Sequence, residues 1–196
     1  MEKDIYQEIW KKAKSYYQKG RPFDIAHIKW MMKDAEYICE QEVIDKTILL
    51  PLVILHDVGY AEVDTTQNSY NLDLRKAHMK AGAEIASHIL TEFKYPQDKT
   101  KTIVDYVAIH DNWAFEENKR YTKDKMLGTF NDLDFMWLAV EEGFNSAMKM
   151  TKKNPQEMFE YVKQNDKLIK RPFSTKTAKE LFDKYIKQRE DSIKAG

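Results

Sequence analysis

The chain has 196 residues, of which 42% are hydrophobic and 33% are charged, which is typical of a globular protein large enough to bury a core. Basic and acidic residues number 32 each, so the net charge is zero. This balance excludes the global basic field that nucleic-acid-binding proteins carry, and we expect no extended nucleic-acid surface.

Cysteine usage and hydropathy indicate the compartment. The single cysteine, Cys39, excludes an internal disulfide framework and favours a reducing environment. The N-terminus, MEKDIYQEIW, has no apolar signal core, and no apolar run approaches the ~20 residues that cross a bilayer. We therefore predict a cytoplasmic protein with no membrane association.

Apolar residues at helical spacing recur along the chain, whereas the alternation typical of strands is scarce. Asp24, Asp45 and a Thr177…Glu180 capping box are typical of helix starts, as is proline at the first position in Asn154-Pro155. We predict about eight helices, over residues 4–18, 24–42, 46–57, 72–93, 97–111, 125–150, 155–169 and 177–192. Polar loops are predicted over 60–71 and 112–124.

This pattern predicts an all-α fold. We expect a single helical-bundle domain over residues 1–196, with its core at about 20–150 and C-terminal helices at about 154–192 packed on it.

The third predicted helix has an unusual end. Seven aliphatic residues and Pro51 run from Ile48 to Leu55, directly before His56 and Asp57. Gly59 follows, where it can end the helix in a left-handed conformation. Buried polar groups need partners, and a buried charge needs a counter-charge or a metal. Imidazole and carboxylate together are typical ligands of a divalent cation, although an isolated His-Asp pair can also lie at a surface helix end.

Four of the five histidines lie on or beside the apolar face of a different predicted helix. These are His27, His56, His78 and His110, whereas His88 lies off the apolar face of its helix. Each buried histidine would need its own hydrogen-bond partner, and one shared metal centre satisfies all four. Asp134 lies among apolar neighbours in the sixth helix, two residues after Asp132.

The order His27 … His56-Asp57 … Asp134, with the pair at the end of an apolar helix, resembles the HD-domain superfamily of metal-dependent phosphohydrolases. The resemblance covers about residues 20–190. It includes LHDVGY, Arg75-x-x-His78 followed by AGAEIA, the segment from Ile103 to His110, and TAKELFDKY near the C-terminus.

The resemblance implies the ligands. By position, His27, His56, Asp57 and Asp134 would hold one divalent ion. Asp132 is the alternative final acid, and otherwise it would lie at the surface or contact a metal ligand. In members with two ions, two further histidines bind the second ion and the HD aspartate bridges. Here these positions match His78 and His110. The metal would be Mn, Fe, Mg, Co, Ni or Zn.

The resemblance also implies hydrolysis of a phosphate ester by a metal-activated water, with Asp57 essential. Arg75 lies one helical turn before His78 and is a candidate phosphate-binding cation. Some nucleotidase members have an acid three positions after the HD aspartate, where this chain has Tyr60. Asp111 is the candidate acid–base group in its place.

The expected substrate is a small phosphorylated molecule, most simply a nucleotide. Four aromatic residues follow a ligand candidate within five positions and suit stacking on a base, namely Trp30, Tyr60, Trp113 and Phe115. Core packing is their other interpretation. Two alternative functions stay open, an HD-type di-iron oxygenase and a non-catalytic nucleotide-sensing module. A homo-oligomer is compatible with the sequence.

Overall fold

The computed structural model describes residues 4–65 and 71–195. These residues form helices and turns and contain no strand, which confirms the all-α prediction. None of the described helices is both long and apolar enough to cross a membrane. The chain divides into two compact units, one of residues 1–39 and 44–117 and one of residues 40–43 and 118–196. A single domain over all 196 residues stays a prediction.

Seven of the eight predicted site residues lie in the first unit, on its helices or in the turns after them. Five α-helices form the described part of this unit. In chain order they are α1 (Ile5–Lys19), α2 (Asp24–Gln41), α3 (Lys46–Leu55), α4 (Leu72–Glu92) and α5 (Gln97–Val107). The last two residues of α2 fall in the second unit. Two short 3-10 turns, Val58–Glu62 and Asn112–Phe115, follow α3 and α5.

Helix α3 is the core of this unit. Every residue from Leu49 to Leu55 is buried, and α1 and α5 pack on it. Pro51 lies inside the helix without ending it. Because proline has no N–H, the carbonyl of Thr47 loses its usual helical donor, and the hydroxyl of Tyr95 donates to it instead at 2.6 Å. The hydroxyl of Tyr17 on α1 donates to the carbonyl of Ile54 at 2.9 Å.

The end of α3 differs from the prediction. The helix ends at Leu55, and no described glycine has a positive φ, so Gly59 is not a left-handed cap. Gly59 instead lets the 3-10 turn approach α4. A Cβ atom on Gly59 would lie 1.9 Å from the carbonyl oxygen of His78 and 2.5 Å from the backbone nitrogen of Gly82. Close approach, rather than backbone conformation, therefore requires glycine here, and it places Asp57 beside α4.

The second unit contains α6 (Asn118–Lys123), α7 (Lys125–Met136), α8 (Glu141–Thr151), α9 (Pro155–Lys163), α10 (Lys167–Lys170) and α11 (Lys176–Ala195). Its buried side chains include Phe130, Leu133, Met136, Met158, Val162 and Phe182. A 3-10 turn, Trp137–Ala139, separates α7 from α8.

Several predicted boundaries in this part were wrong. The loop predicted at 112–124 contains a 3-10 turn and α6, and the helix predicted at 125–150 is two helices. Helix α8 folds back on the intervening turn, where a Cβ on Gly143 would lie 2.0 Å from the carbonyl oxygen of Trp137. Residues 164–166 interrupt the helix predicted at 155–169. The loop predicted at 60–71 falls partly outside the described residues.

Helix caps were predicted with mixed success. A helix starts at Asn154-Pro155 with proline at the first position, as the sequence indicated, and Asn154 and Glu157 also form a capping box there. The predicted Thr177 box is wrong, because the backbone N–H and hydroxyl of Thr177 both donate to Glu42. The hydroxyl of Thr175 accepts from the backbone N–H of Ala178 instead.

The contact at Gly59 predicts a large difference between two glycine substitutions. Gly59→Ala should lower the free energy of unfolding by about 3 kcal/mol or more, because backbone atoms of α4 occupy the space of the new methyl group. In Gly82→Ala the nearest atoms are 3.2–3.3 Å away, and the gain in helix propensity of up to about 1 kcal/mol offsets the tighter contact. Urea unfolding followed by circular dichroism compares them, and equal stability of both variants would contradict this account.

Candidate metal centre

His56 and Asp57 lie at the inner end of α3. His56 caps the helix, with its backbone N–H donating to the carbonyl of Leu52 at 3.0 Å, and its side chain is buried. Asp57 begins the 3-10 turn, and its side chain is 12% exposed. The apolar helix thus delivers a carboxylate to a nearly buried position.

Three histidines have the same side-chain arrangement. The Nδ1 atom of His56 lies 2.9 Å from the carbonyl oxygen of Val53, and that of His110 lies 2.8 Å from the oxygen of Val107. The Nδ1 atom of His78 lies 3.3 Å from the oxygen of its own-helix neighbour Leu74. A carbonyl only accepts hydrogen bonds, so Nδ1 carries the proton in each ring. Each Nε2 therefore presents a lone pair, which is how metal-binding histidines are commonly oriented.

The Nε2 atoms of His78 and His110 meet at Asp57. They lie 3.5 Å and 3.2 Å from the Asp57 Oδ1 atom and 3.2 Å from each other. Two imidazole lone pairs and a carboxylate oxygen repel one another at these distances unless a cation lies among them. One ligand atom from each residue lies within 4.8 Å of the others, and all three residues belong to the first unit. The donor set fits a divalent transition-metal ion.

His27 lies on α2, and its buried ring is 5.8 Å from the ring of His56, edge to face. The rings of His56 and His110 are 5.2 Å apart. The structure therefore brings together His27, His56, Asp57, His78 and His110, and their roles as ligands stay predictions. His88 is exposed, as predicted. Asp134 is half-buried on α7 in the second unit, and its role as a ligand stays a prediction.

The electrostatics favour the protonation states that a metal needs. Burial, together with the nearby His56, lowers the pKa of His27 to about 3. Burial also lowers the pKa of His78, against the opposing effect of Asp57. For Asp57, burial would raise the pKa, but the neighbouring histidines, His56 above all, hold it well below its usual range. At neutral pH His27 and His78 are therefore neutral imidazoles and Asp57 is an ionised carboxylate.

Arg75 and Asp111 form one hydrogen-bonded group beside these ligands. An Arg75 Nη1 atom donates to Asp111 Oδ2 at 2.5 Å, and the indole N–H of Trp113 donates to Asp111 Oδ1 at 3.0 Å. The guanidinium carbon of Arg75 lies 4.9 Å from the Trp113 ring centroid. Asp111 Oδ2 is 3.8 Å from the Nε2 atom of His78. Burial would raise the pKa of Asp111, but His110 and Arg75 lower it, so this carboxylate is ionised.

Arg21 was not predicted as a functional residue at this site, and Tyr60 was predicted only as a residue that could stack on a base. The ring of Tyr60 stacks on that of His78 with a centroid distance of 4.1 Å, and the Arg21 guanidinium lies over the Tyr60 ring. The position of Tyr60, three residues after Asp57, was a signal that it lies near the site. Nothing in the spacing of Arg21 indicated this contact, because the turn between α1 and α2 places it there.

Asp132, the alternative to Asp134, has a structural role. It is 1% exposed, and its Oδ1 accepts from the buried ammonium of Lys167. Its Oδ2 accepts from the backbone N–H of Ser174 at 2.7 Å. Burial raises the pKa of Asp132 to about 6, and Lys167 opposes that rise. The suggestion that Asp132 is a surface residue was wrong, because a lysine 35 positions later covers it.

The lowered histidine pKa values predict that metal-free protein loses stability as the pH falls from about 6.5 toward 3. The unfolded chain, with histidine pKa values of about 6.5, binds protons in this range that folded His27 does not bind. The loss of unfolding free energy is absent above pH ~6.5, and it is complete when the pH reaches the folded pKa of His27, about 3. Urea midpoints in the presence of a chelator measure it.

His27→Gln is the matched control for this pH dependence, because it keeps a polar group of similar size and removes the titration. Its stability should fall less steeply than that of the natural chain between pH ~6.5 and ~4.5. Equal slopes would show that His27 titrates normally in the folded state.

Comparison with known proteins gives one match. The HD domain family model matches residues 24–129, more than half of the chain, and this range contains His27, His56, Asp57, His78 and His110. No curated protein and no solved structure matches significantly. On the family match, which agrees with the geometry above, the chain belongs to the HD-domain family, whose members are typically metal-dependent hydrolases.

Proposed function

We propose that this protein is a metal-dependent phosphohydrolase that cleaves a phosphate ester of a nucleotide or a related small molecule. One observation carries the proposal: the Nε2 atoms of two buried histidines converge on the Asp57 carboxylate with their lone pairs directed inward. Membership of the HD-domain family supports the same reaction class.

The proposed ligands form two overlapping sets. His27, His56, Asp57 and Asp134 would hold the first ion, and Asp57, His78 and His110 would hold the second. In the first unit, the contact between the His27 and His56 rings and the convergence at Asp57 support these sets. Asp57 belongs to both, because a carboxylate has two oxygens and can bridge two ions.

When bound, the divalent ions would lower the pKa of a coordinated water and offset the charge that develops on the phosphate. The residues of the chain orient this chemistry. The bonds from Nδ1 to backbone carbonyls hold His56 and His110 with Nε2 directed inward, and a longer bond of the same kind orients His78. The buried position of these residues excludes bulk water, which strengthens each electrostatic contact.

Arg75 is the proposed phosphate-binding cation. Asp111 and the face of Trp113 hold its guanidinium, and Asp111 Oδ2 lies 3.8 Å from the Nε2 atom of His78, so the cation is beside the proposed second ion. Since both Asp111 oxygens accept hydrogen bonds, we propose that Asp111 mainly positions Arg75 and exchanges a proton with substrate only if that pairing opens.

A nucleotide is the proposed substrate class because aromatic rings accompany the cations at this end of the site. Trp113 and Phe115 lie on one 3-10 turn, half-buried, with Arg75 over the first ring and Lys76 over the second at 4.9 Å each. Cations that bind phosphate, next to rings that stack on bases, match the two parts of a nucleotide.

Phosphate release tests the proposal directly. Protein stripped with a chelator should be inactive, and reloading with Mn, Mg, Co, Ni or Fe should restore phosphate release from one or more nucleotides. Asp57→Ala should abolish activity with every metal, a loss of at least about 1,000-fold, because it removes a ligand from both ion sets. Inductively coupled plasma mass spectrometry on the same samples gives the metal content.

His88→Ala is the control, because His88 is exposed and should change neither metal content nor rate. Phosphatase activity that persists in metal-free protein would refute the mechanism. Oxygen consumption by the iron-loaded protein, or tight nucleotide binding without turnover across all metals, would replace the hydrolase proposal with the corresponding alternative.

Substitutions of the two acids of α7 should have different effects, one mainly on metal affinity and the other mainly on the free energy of unfolding. Asp134→Ala should reduce metal affinity by about 10-fold or more with little loss of stability. Asp132→Ala should cost about 3–5 kcal/mol of unfolding free energy, because it leaves the Lys167 charge buried, and its metal affinity and activity should suffer less than those of Asp134→Ala. Calorimetric metal titration and urea unfolding measure the two effects.

The paired replacement of Asp132→Leu with Lys167→Met is the matched control, since it removes both charges and should recover most of the lost stability. Loss of metal affinity in Asp132→Ala, with full affinity in Asp134→Ala, would move the ligand two residues upstream.

A further inference from the structure

His78 is held less firmly by hydrogen bonding than the other two histidines around Asp57. Its Nδ1 atom lies 3.3 Å from a carbonyl of its own helix, against 2.9 Å for His56 and 2.8 Å for His110. A bond of 3.3 Å is beyond the usual range for N–H···O contacts and restrains ring rotation weakly. A second contact is therefore needed to keep the Nε2 atom of His78 directed at Asp57.

Tyr60 supplies that contact. Its ring is stacked on the His78 imidazole, with a centroid distance of 4.1 Å and an angle of 8° between the planes. Rotation of the imidazole about its Cβ–Cγ bond would drive the ring into the face of Tyr60. The stack thus restrains the rotation that the long hydrogen bond leaves open.

Tyr60 is in turn held by Arg21. The guanidinium carbon lies 4.1 Å from the Tyr60 ring centroid, the same distance as the His78 ring. Two planar groups this close to one centroid would overlap on the same face, so they cover opposite faces. Arg21 is itself anchored to Asp24, with Nε to Oδ2 at 3.0 Å and Nη2 to Oδ1 at 3.2 Å.

The backbone around Tyr60 is equally constrained. Its N–H donates to the carbonyl of Asp57 at 3.1 Å. A Cβ on Gly20 would lie 2.5–2.6 Å from the Tyr60 carbonyl group, so the turn before α2 is in close contact with this residue. The other side of the 3-10 turn meets α4 through Gly59. Tyr60 is therefore held by backbone contacts as well as by its ring.

We propose that Tyr60 is a positioning residue for the second metal ion, which it serves by holding the imidazole plane of His78, and that Arg21 holds Tyr60 from the opposite face. This inference rests on the proposed function, in which His78 is a ligand of the second ion. It adds a row of three side chains, Arg21, Tyr60 and His78, that connects the turn before α2 to the metal centre.

Mn²⁺ titration of the full-length, metal-stripped protein tests this, with isothermal calorimetry for affinity and mass spectrometry for stoichiometry. Tyr60→Phe keeps the stacked ring and should bind both ions within about threefold of the natural chain. Tyr60→Leu should weaken the second ion by about 10-fold or more and leave the first within about threefold, as substitutions next to metal ligands typically do. The visible spectrum of Co²⁺-loaded protein should change only in its second-ion component.

Tyr121→Leu is the matched control, because Tyr121 is also buried and has an arginine over its ring at 5.9 Å, but lies in the second unit. It should lose stability without selective loss of the second ion. If Tyr60→Leu does not fold, Arg21→Lys decides, since it keeps the charge and removes the planar group. Unchanged second-ion affinity in Arg21→Lys would then overturn the proposal.

The outcomes separate this inference from the proposed function. The variant without His78 and His110 should bind one ion, whereas the natural chain should bind two. If both bind one, the two-ion function fails and the role of Tyr60 fails with it. If the natural chain binds two ions and Tyr60→Leu binds them equally well, or weakens both ions equally, Tyr60 is only a packing residue and the proposed function stands.

Discussion

The carboxylate of Asp57 is the constraint on which the arrangement of the first unit depends. It follows the apolar run from Ile48 to Leu55 and its side chain is only 12% exposed, so bulk water offsets its charge poorly. Arg21 is a nearby cation that offsets it in part. The Nε2 atoms of His78 and His110 face it with lone pairs, which leaves room for a metal ion to balance the charge. Burial would lower the pKa of Arg21, but the carboxylates of Asp24 and Asp57 raise it, so Arg21 remains a cation beside the site.

The same contact that packs the core also sets the spacing of the ligands. Gly59 lets the turn after Asp57 contact α4 at the backbone carbonyl of His78. The side chain of this same residue is a ligand candidate. A side chain at Gly59 would push that turn away from α4 and so increase the separation of Asp57 and His78. Metal coordination tolerates displacements of only about 0.5 Å, so packing and chemistry are coupled at this point.

The second unit contains a buried carboxylate, that of Asp132, whose charge is balanced by partners within the protein. Both oxygens of Asp132 accept hydrogen bonds, one from Lys167 and one from the backbone N–H of Ser174. The aromatic ring of Phe173 lies 3.8 Å from the Lys167 ammonium and helps to accommodate its charge. Asp132 is thus satisfied within the fold, whereas Asp57 faces imidazole lone pairs that donate nothing. This difference in partners separates a structural acid from a metal-ligand candidate.

The sequence by itself determined the helical class, most helix starts and the candidate ligands, because these depend on local information. Helical periodicity placed His27, His56, His78 and His110 on buried faces, and the apolar run before Asp57 required a partner for its charge.

Only the tertiary structure decided which side chains meet. The approach of His78 to His110, the stack of Arg21 and Tyr60 beside them, and the pairing of Asp132 with Lys167 join residues that are 32 to 39 positions apart. Such distances are set by how helices and turns pack, and periodicity along one helix contains no record of them. Gly59 shows the same limit, since its spacing suggested a helix cap and the neighbouring backbone of α4 gave it another role.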